Sequence, residues 1–201
     1  MRTHRLTVLG DSFVEGRGDP GPTGEFRGWV PTLASLLGIR SGGWRNLGAH
    51  QATTQVVVDT QLARAVAHKS PLIGVVVGTN DLVSDYDPAR YRANIDRIVG
   101  ELSGFDTTVF IATHPDIPAN LPVPEPFRDL LRARFAEANE HLRDVARRSD
   151  LILLDIARCP RWADPAVWSA DGLHPNPAGH RLFAETVAAL VTEGDLAPLA
   201  A

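Results

Sequence analysis

Short apolar runs rich in β-branched residues alternate along the chain with longer segments whose apolar residues recur at helical spacing. Strands separated by helices pair in parallel through right-handed crossovers, so this alternation leaves few architectures open. The strand-like runs are residues 6–9, 44–47, 72–77, 107–113 and 151–155; the third, bounded by Pro71 and Gly78, is the clearest. Helices are expected over residues 29–37, 54–68 and 127–148. Two more open on a cap followed by proline, Asp87-Pro88 running to about residue 102 and Asn176-Pro177 running to about 191. The expected fold is therefore α/β: a three-layer α/β/α sandwich, flavodoxin-like, around a five-stranded parallel sheet. A length of 201 residues suits one domain with one sizeable core. Neither a repeat nor a linker divides the chain, so residues 1–201 are expected to form a single domain, with the tail after about 192 loosely docked.

Composition removes several function classes. The net charge of −4 and the scattered arginines supply no basic field for nucleic acid. Cys159 is the only cysteine, which rules out an intramolecular disulfide or a cysteine metal cluster, and the seven histidines lack the spacing of zinc ligands. No metal and no cofactor are expected. A strand-like run begins by Leu6 with no apolar stretch before it, and no segment approaches 18 apolar residues. The expectation is a cytoplasmic protein with neither signal peptide nor membrane span; its oligomeric state is not legible.

In open parallel sheets, sites form at the carboxyl ends of the strands. Polar clusters fall there four times: Ser12 after the first strand, residues 46–51 after the second, Asn80 after the third, and Asp171 with His174 beyond the fifth. A serine hydroxyl needs a base within hydrogen-bond reach to become a nucleophile. Taken singly, Ser12 reads as a turn or helix-cap residue, and Asp171-Gly172-Leu173-His174-Pro175 as a polar loop before a capped helix. Taken together, they offer a nucleophile, a base and a carboxylate to orient the base. Asn80, in Gly78-Thr79-Asn80-Asp81, reads either as a turn residue or as an amide donor to a developing oxyanion. Asp11 reads as a carboxylate that bonds loop amides. The loop over residues 114–126 carries five prolines and either walls a pocket or only spans the gap. Arg17-Gly18-Asp19 is read as a chance tripeptide.

The four blocks Gly10-Asp11-Ser12, Asn46-Leu47-Gly48, Gly78-Thr79-Asn80-Asp81 and Asp171-Gly172-Leu173-His174-Pro175 together resemble the SGNH/GDSL hydrolase superfamily over nearly the whole chain. The resemblance implies hydrolysis of a small-molecule acyl ester or thioester without a cofactor. It assigns Ser12 as nucleophile, His174 as base and Asp171 as the third member of the triad, with the Ser12 amide and the Asn80 side chain in the oxyanion hole. In one place the chain departs from the pattern. The family has a glycine five residues beyond the asparagine of the second block, whose amide is the third oxyanion donor; here that position is Gln51. The Gln51 amide is expected to serve, its side chain crowding the site, with Gly48 as the alternative donor. Two other functions share these residues. A transacylase would pass the acyl group to an alcohol or amine, and a silent binding protein would keep the fold without turnover.

Overall fold

The computed structural model describes residues 5–103 and 107–196. Five parallel strands, β1 (Leu6–Gly10), β2 (Trp44–Asn46), β3 (Leu72–Val76), β4 (Thr108–Ala112) and β5 (Ile152–Leu154), lie in the order β2-β1-β3-β4-β5. The sheet and its class are as the sequence pattern predicts. The register runs from Leu6 beside Leu72 to Gly10 beside Val76. β1 and β3 are buried along their whole length because helices cover both faces of the sheet. The two edge strands are only three residues long and half exposed, shorter than the apolar runs suggest, as suits edges that must not recruit further strands.

Helix α2 (Trp29–Leu36) packs on the long C-terminal α8 (Pro177–Leu196). On the other face, α4 (Leu62–His68) and α6 (Pro88–Leu102) pack together, and α6 meets α7 (Glu125–Arg148). Under α2 and α8 lies an aromatic cluster. Trp29 and Phe183 rings stand 4.7 Å apart, Phe13 meets Phe183 edge-on at 4.9 Å, and Phe110 of β4 closes on Trp29 at 6.2 Å. Burying such rings stabilises by about 2–3 kcal/mol each, and edge-on contacts add to it.

Three features depart from the sequence reading. The helix expected over residues 54–68 is broken: α3 (Thr54–Val56) passes into a π-helical turn (Val57–Gln61) before α4. Two short helices, α1 (Ser12–Glu15) and α5 (Thr79–Val83), start directly after β1 and β3, where only polar loops were expected. The final helix runs on to Leu196, past residue 191; the expected loose tail beyond residue 196 lies outside the described residues. No helix among the described residues is long and apolar enough to cross a membrane.

Candidate active site

The strand order reverses direction between β1 and β3, and ligand crevices open at such a switch point. Ser12 stands just beyond β1 and Asn80 just beyond β3, so both border that crevice. Gly10 makes the turn out of β1. Its φ is 157°, and a Cβ there would lie 2.0 Å from the Val76 carbonyl oxygen, so only glycine lets β1 run this close to β3 before turning. Asp11 caps α1 by accepting from the Phe13 amide at 3.0 Å, the backbone role the sequence favours for it. Burial, with the charge of Asp81 adding to it, pushes the Asp11 carboxyl up to about 7.

Asp171 and His174 come from the loop before α8. Asp171 accepts from the amides of Leu173 and His174, both at 2.9 Å, so its carboxylate is fixed before the ring is considered. Its other oxygen lies 2.7 Å from Nδ1 of His174. A carboxylate can only accept, so Nδ1 carries the proton and Nε2 presents a lone pair. The Ser12 hydroxyl lies 2.9 Å from Nε2 and donates to it. Burial works against the Asp171 charge, but the bonds from the His174 amide, the His174 ring and the Leu173 amide outweigh it, and the carboxyl is held below its ordinary value.

Neighbouring segments hold this loop in place. Arg17-Gly18-Asp19 is no chance tripeptide: a Cβ on Gly18, whose φ is 95°, would lie 1.9 Å from the Pro175 carbonyl oxygen. The Arg17 carbonyl accepts from Nε2 of the buried His180 at 2.8 Å. The loop after α1 is thereby pressed onto the residue following His174, and the serine and histidine segments are joined outside the triad itself.

Ser12, Asn80 and His174 line one pocket, and Pro115, Ile117, Trp162 and Trp168 supply part of its wall. The proline-rich loop thus walls the pocket rather than merely spanning a gap. The Asn80 amide donates to the Ala52 carbonyl at 2.9 Å, which leaves its second N–H uncommitted and ties α5 to the segment that holds Gln51. Ser12, at the first position of α1, has no intrahelical acceptor for its own amide.

Gln51 adopts left-handed backbone, φ 58°, and its side chain is exposed. It is not among the residues that line the pocket, so the side chain does not crowd the site as expected. Its amide makes no hydrogen bond among the described residues. Gly48, the alternative donor, is corrected by the structure: its amide donates to Asn46 Oδ1 at 2.9 Å and is not free.

Three buried amide side chains near the site escape the sequence reading. Gln61, in the π-helical turn, accepts from the Gly10 amide at 2.8 Å and donates to the Gly10 carbonyl at 2.9 Å. Asn139 of α7 clamps the backbone of His114 in the same way, at 2.7 and 2.8 Å. Asn94 of α6 donates to Thr54, which in turn donates to Asp81. Each falls on the apolar face of its helix: Gln61 between Val58 and Ala65, Asn94 between Tyr91 and Ile98, Asn139 between Phe135 and Leu142. A polar residue on an apolar stripe is the signal that finds them.

The family model described as the GDSL-like lipase/acylhydrolase family matches residues 8–182. No curated protein sequence matches. Among solved structures, LAE5, an alpha/beta hydrolase enzyme from the metagenome of Lake Arreo, Spain, aligns at 23% identity and a TM-score of 0.73, covering 94% of this chain and 95% of that one. A lipase/acylhydrolase from Enterococcus faecalis aligns at 20% identity and a TM-score of 0.71, covering 95% and 96%. Axe2, an acetylxylan esterase from Geobacillus stearothermophilus, aligns at 18% identity and a TM-score of 0.73, also covering 95% and 96%. At these identities the likeness is one of fold, and it extends over nearly the full length of each chain.

Proposed function

The chain belongs to the GDSL-like lipase/acylhydrolase family and is an ester hydrolase, and from that premise we propose that it cleaves a carboxylic ester or thioester through an acyl-enzyme on Ser12, with residues 1–201 acting as one domain. The observation that carries this reading is the continuous relay from Asp171 through His174 to Ser12, at 2.7 and 2.9 Å.

The Ser12 oxygen attacks the carbonyl carbon while its proton passes to Nε2 of His174. Asp171 stabilises the imidazolium so formed and keeps its tautomer. The negative charge on the former carbonyl oxygen faces the Ser12 amide and the uncommitted N–H of Asn80, with the Gln51 amide as third donor. Such donors bond the tetrahedral oxyanion more strongly than the flat carbonyl, which lowers the barrier. When the intermediate collapses, the imidazolium gives its proton to the departing alkoxide or thiolate, and the acyl group remains on Ser12. Water then attacks the acyl-enzyme, with the same imidazole as base.

Purified Ser12→Ala and His174→Ala are each expected to lose turnover of p-nitrophenyl acetate by roughly 10⁴–10⁶-fold while keeping wild-type circular dichroism. Mass spectrometry is expected to find a fluorophosphonate adduct on Ser12. A folded Ser12→Ala protein that keeps wild-type esterase activity would overturn the proposal.

A further inference from the structure

We propose, resting on the reading of Ser12 as nucleophile, that a rigid apolar wall restricts this enzyme to short acyl chains of about four carbons or fewer. The enclosed space beside Ser12, bounded by Ile117, Ile156, Trp162, Trp168 and Leu173, amounts to about 40 Å³. A water-sized position takes roughly 10–15 Å³, so this space holds about three carbons beyond the carbonyl carbon bonded to Ser12. Acetyl, propionyl and butyryl chains fit; hexanoyl and octanoyl chains do not.

The wall cannot easily give way. Trp162 is only 4% exposed. It stands edge-on to Trp168 at 5.8 Å, to Phe13 at 6.3 Å and to Phe183 at 6.2 Å, which joins it to the aromatic cluster under α2 and α8. The Trp168 indole donates to the Trp162 carbonyl at 3.0 Å and locks the two rings together. Ile156 follows Asp155, which Arg143 grips with bonds of 2.8 and 2.9 Å. On the opposite side, Ile117 opens a turn whose Pro118 carbonyl accepts from Arg128 of α7 at 3.2 Å. Interiors packed this way do not open a further channel for two or four methylenes without displacing several side chains at once.

The test is a series of p-nitrophenyl esters from acetate to octanoate, hydrolysed by the full chain at one pH, so that only the acyl group varies. kcat/KM is expected to hold or rise to butyrate and then to fall at least tenfold by hexanoate and further by octanoate, the scale on which a closed pocket rejects an added methylene. Ile156→Ala and Ile117→Ala are expected to raise the ratio of octanoate to acetate turnover at least tenfold. A ratio taken within one preparation cancels any loss of folded enzyme. Wild-type turnover of octanoate equal to that of butyrate, abolished in Ser12→Ala, would overturn the size limit and leave the nucleophile standing. An unchanged ratio in both folded variants would overturn the wall. Octanoate turnover that survives in Ser12→Ala would instead bring down the reading beneath it.

Discussion

Gln51 holds a backbone conformation that side chains rarely take, φ 58°, at the position where the family pattern has glycine. A residue with a Cβ pays about 1–2 kcal/mol for left-handed backbone, and that conformation explains the family's glycine better than a need for space. Gln51→Gly removes the strain but adds about 0.4–1 kcal/mol of unfolded-chain entropy to be lost on folding, so stability is expected to rise by at most about 1 kcal/mol in urea denaturation. The amide stays in place and the exposed side chain does not line the pocket, so kcat for p-nitrophenyl acetate is expected to stay within about threefold of wild type. A collapse of kcat in the folded variant would mean that the glutamine side chain, not its amide, serves the reaction. Asn80→Ala provides the contrast: it removes a donor to the oxyanion, and a loss of roughly 10²–10³ in kcat with little change in KM is expected.

At the scale of elements, the π-helical turn over Val57–Gln61 supports the site from a distance. It delivers Gln61, 2% exposed, to the backbone of Gly10, where the amide side chain takes the place of a neighbouring strand just before Ser12. Gln61→Leu leaves the buried Gly10 amide without an acceptor, whereas its carbonyl keeps the Ala49 amide as donor. A loss of about 1–3 kcal/mol in urea denaturation is expected, together with a fall in kcat larger than any change in KM as the turn bearing Ser12 loosens. Unchanged stability would show that water satisfies the Gly10 amide and that the clamp is dispensable. This turn also marks how far the sequence could be read. The strands were legible because β-branched runs between Pro and Gly have few other readings, and the serine, histidine and aspartate were legible because four motifs fell after four strands. The break at Val57 was not, since residues 54–68 keep helical spacing through it and one inserted residue leaves no mark on composition. α1 and α5 were too short for any period to show. Trp162 and Trp168 reach the pocket on single 3₁₀ turns (Pro160–Ala163 and Pro165–Val167), whose placement depends on contacts remote in sequence.

Across the whole molecule, stability should respond to pH through buried groups that pull in opposite directions. Burial raises Asp11 to about 7 and also raises Asp81; burial lowers His114 to about 4 and also lowers His180. For Asp11 the folded state holds its proton more tightly than the unfolded chain does. Its contribution is fully present below the unfolded value of 3.8 and is lost as pH rises through about 7. For His114 the folded state binds the proton less tightly, so its contribution is present above 6.5 and is lost as pH falls toward about 4. Each shift of two to three units corresponds to an effect on the order of 2–4 kcal/mol, so over the shared window between pH 4 and 7 the two nearly offset each other. Tyr91 brings them together physically: its hydroxyl lies 3.4 Å from His114 Nε2, and its own titration is pushed up by the charges of Asp81 and Asp11. The melting temperature of the wild-type protein is therefore expected to change little across this window. Asp11→Asn keeps an acceptor for the Phe13 amide but removes the falling contribution, so its melting temperature should climb with pH from 4 to 6.5. His114→Gln removes the rising contribution, and its melting temperature should decline over the same range. Thermal unfolding of the three proteins in half-unit steps reads the sign directly, and parallel curves for all three would show that neither buried group carries the linkage assigned to it.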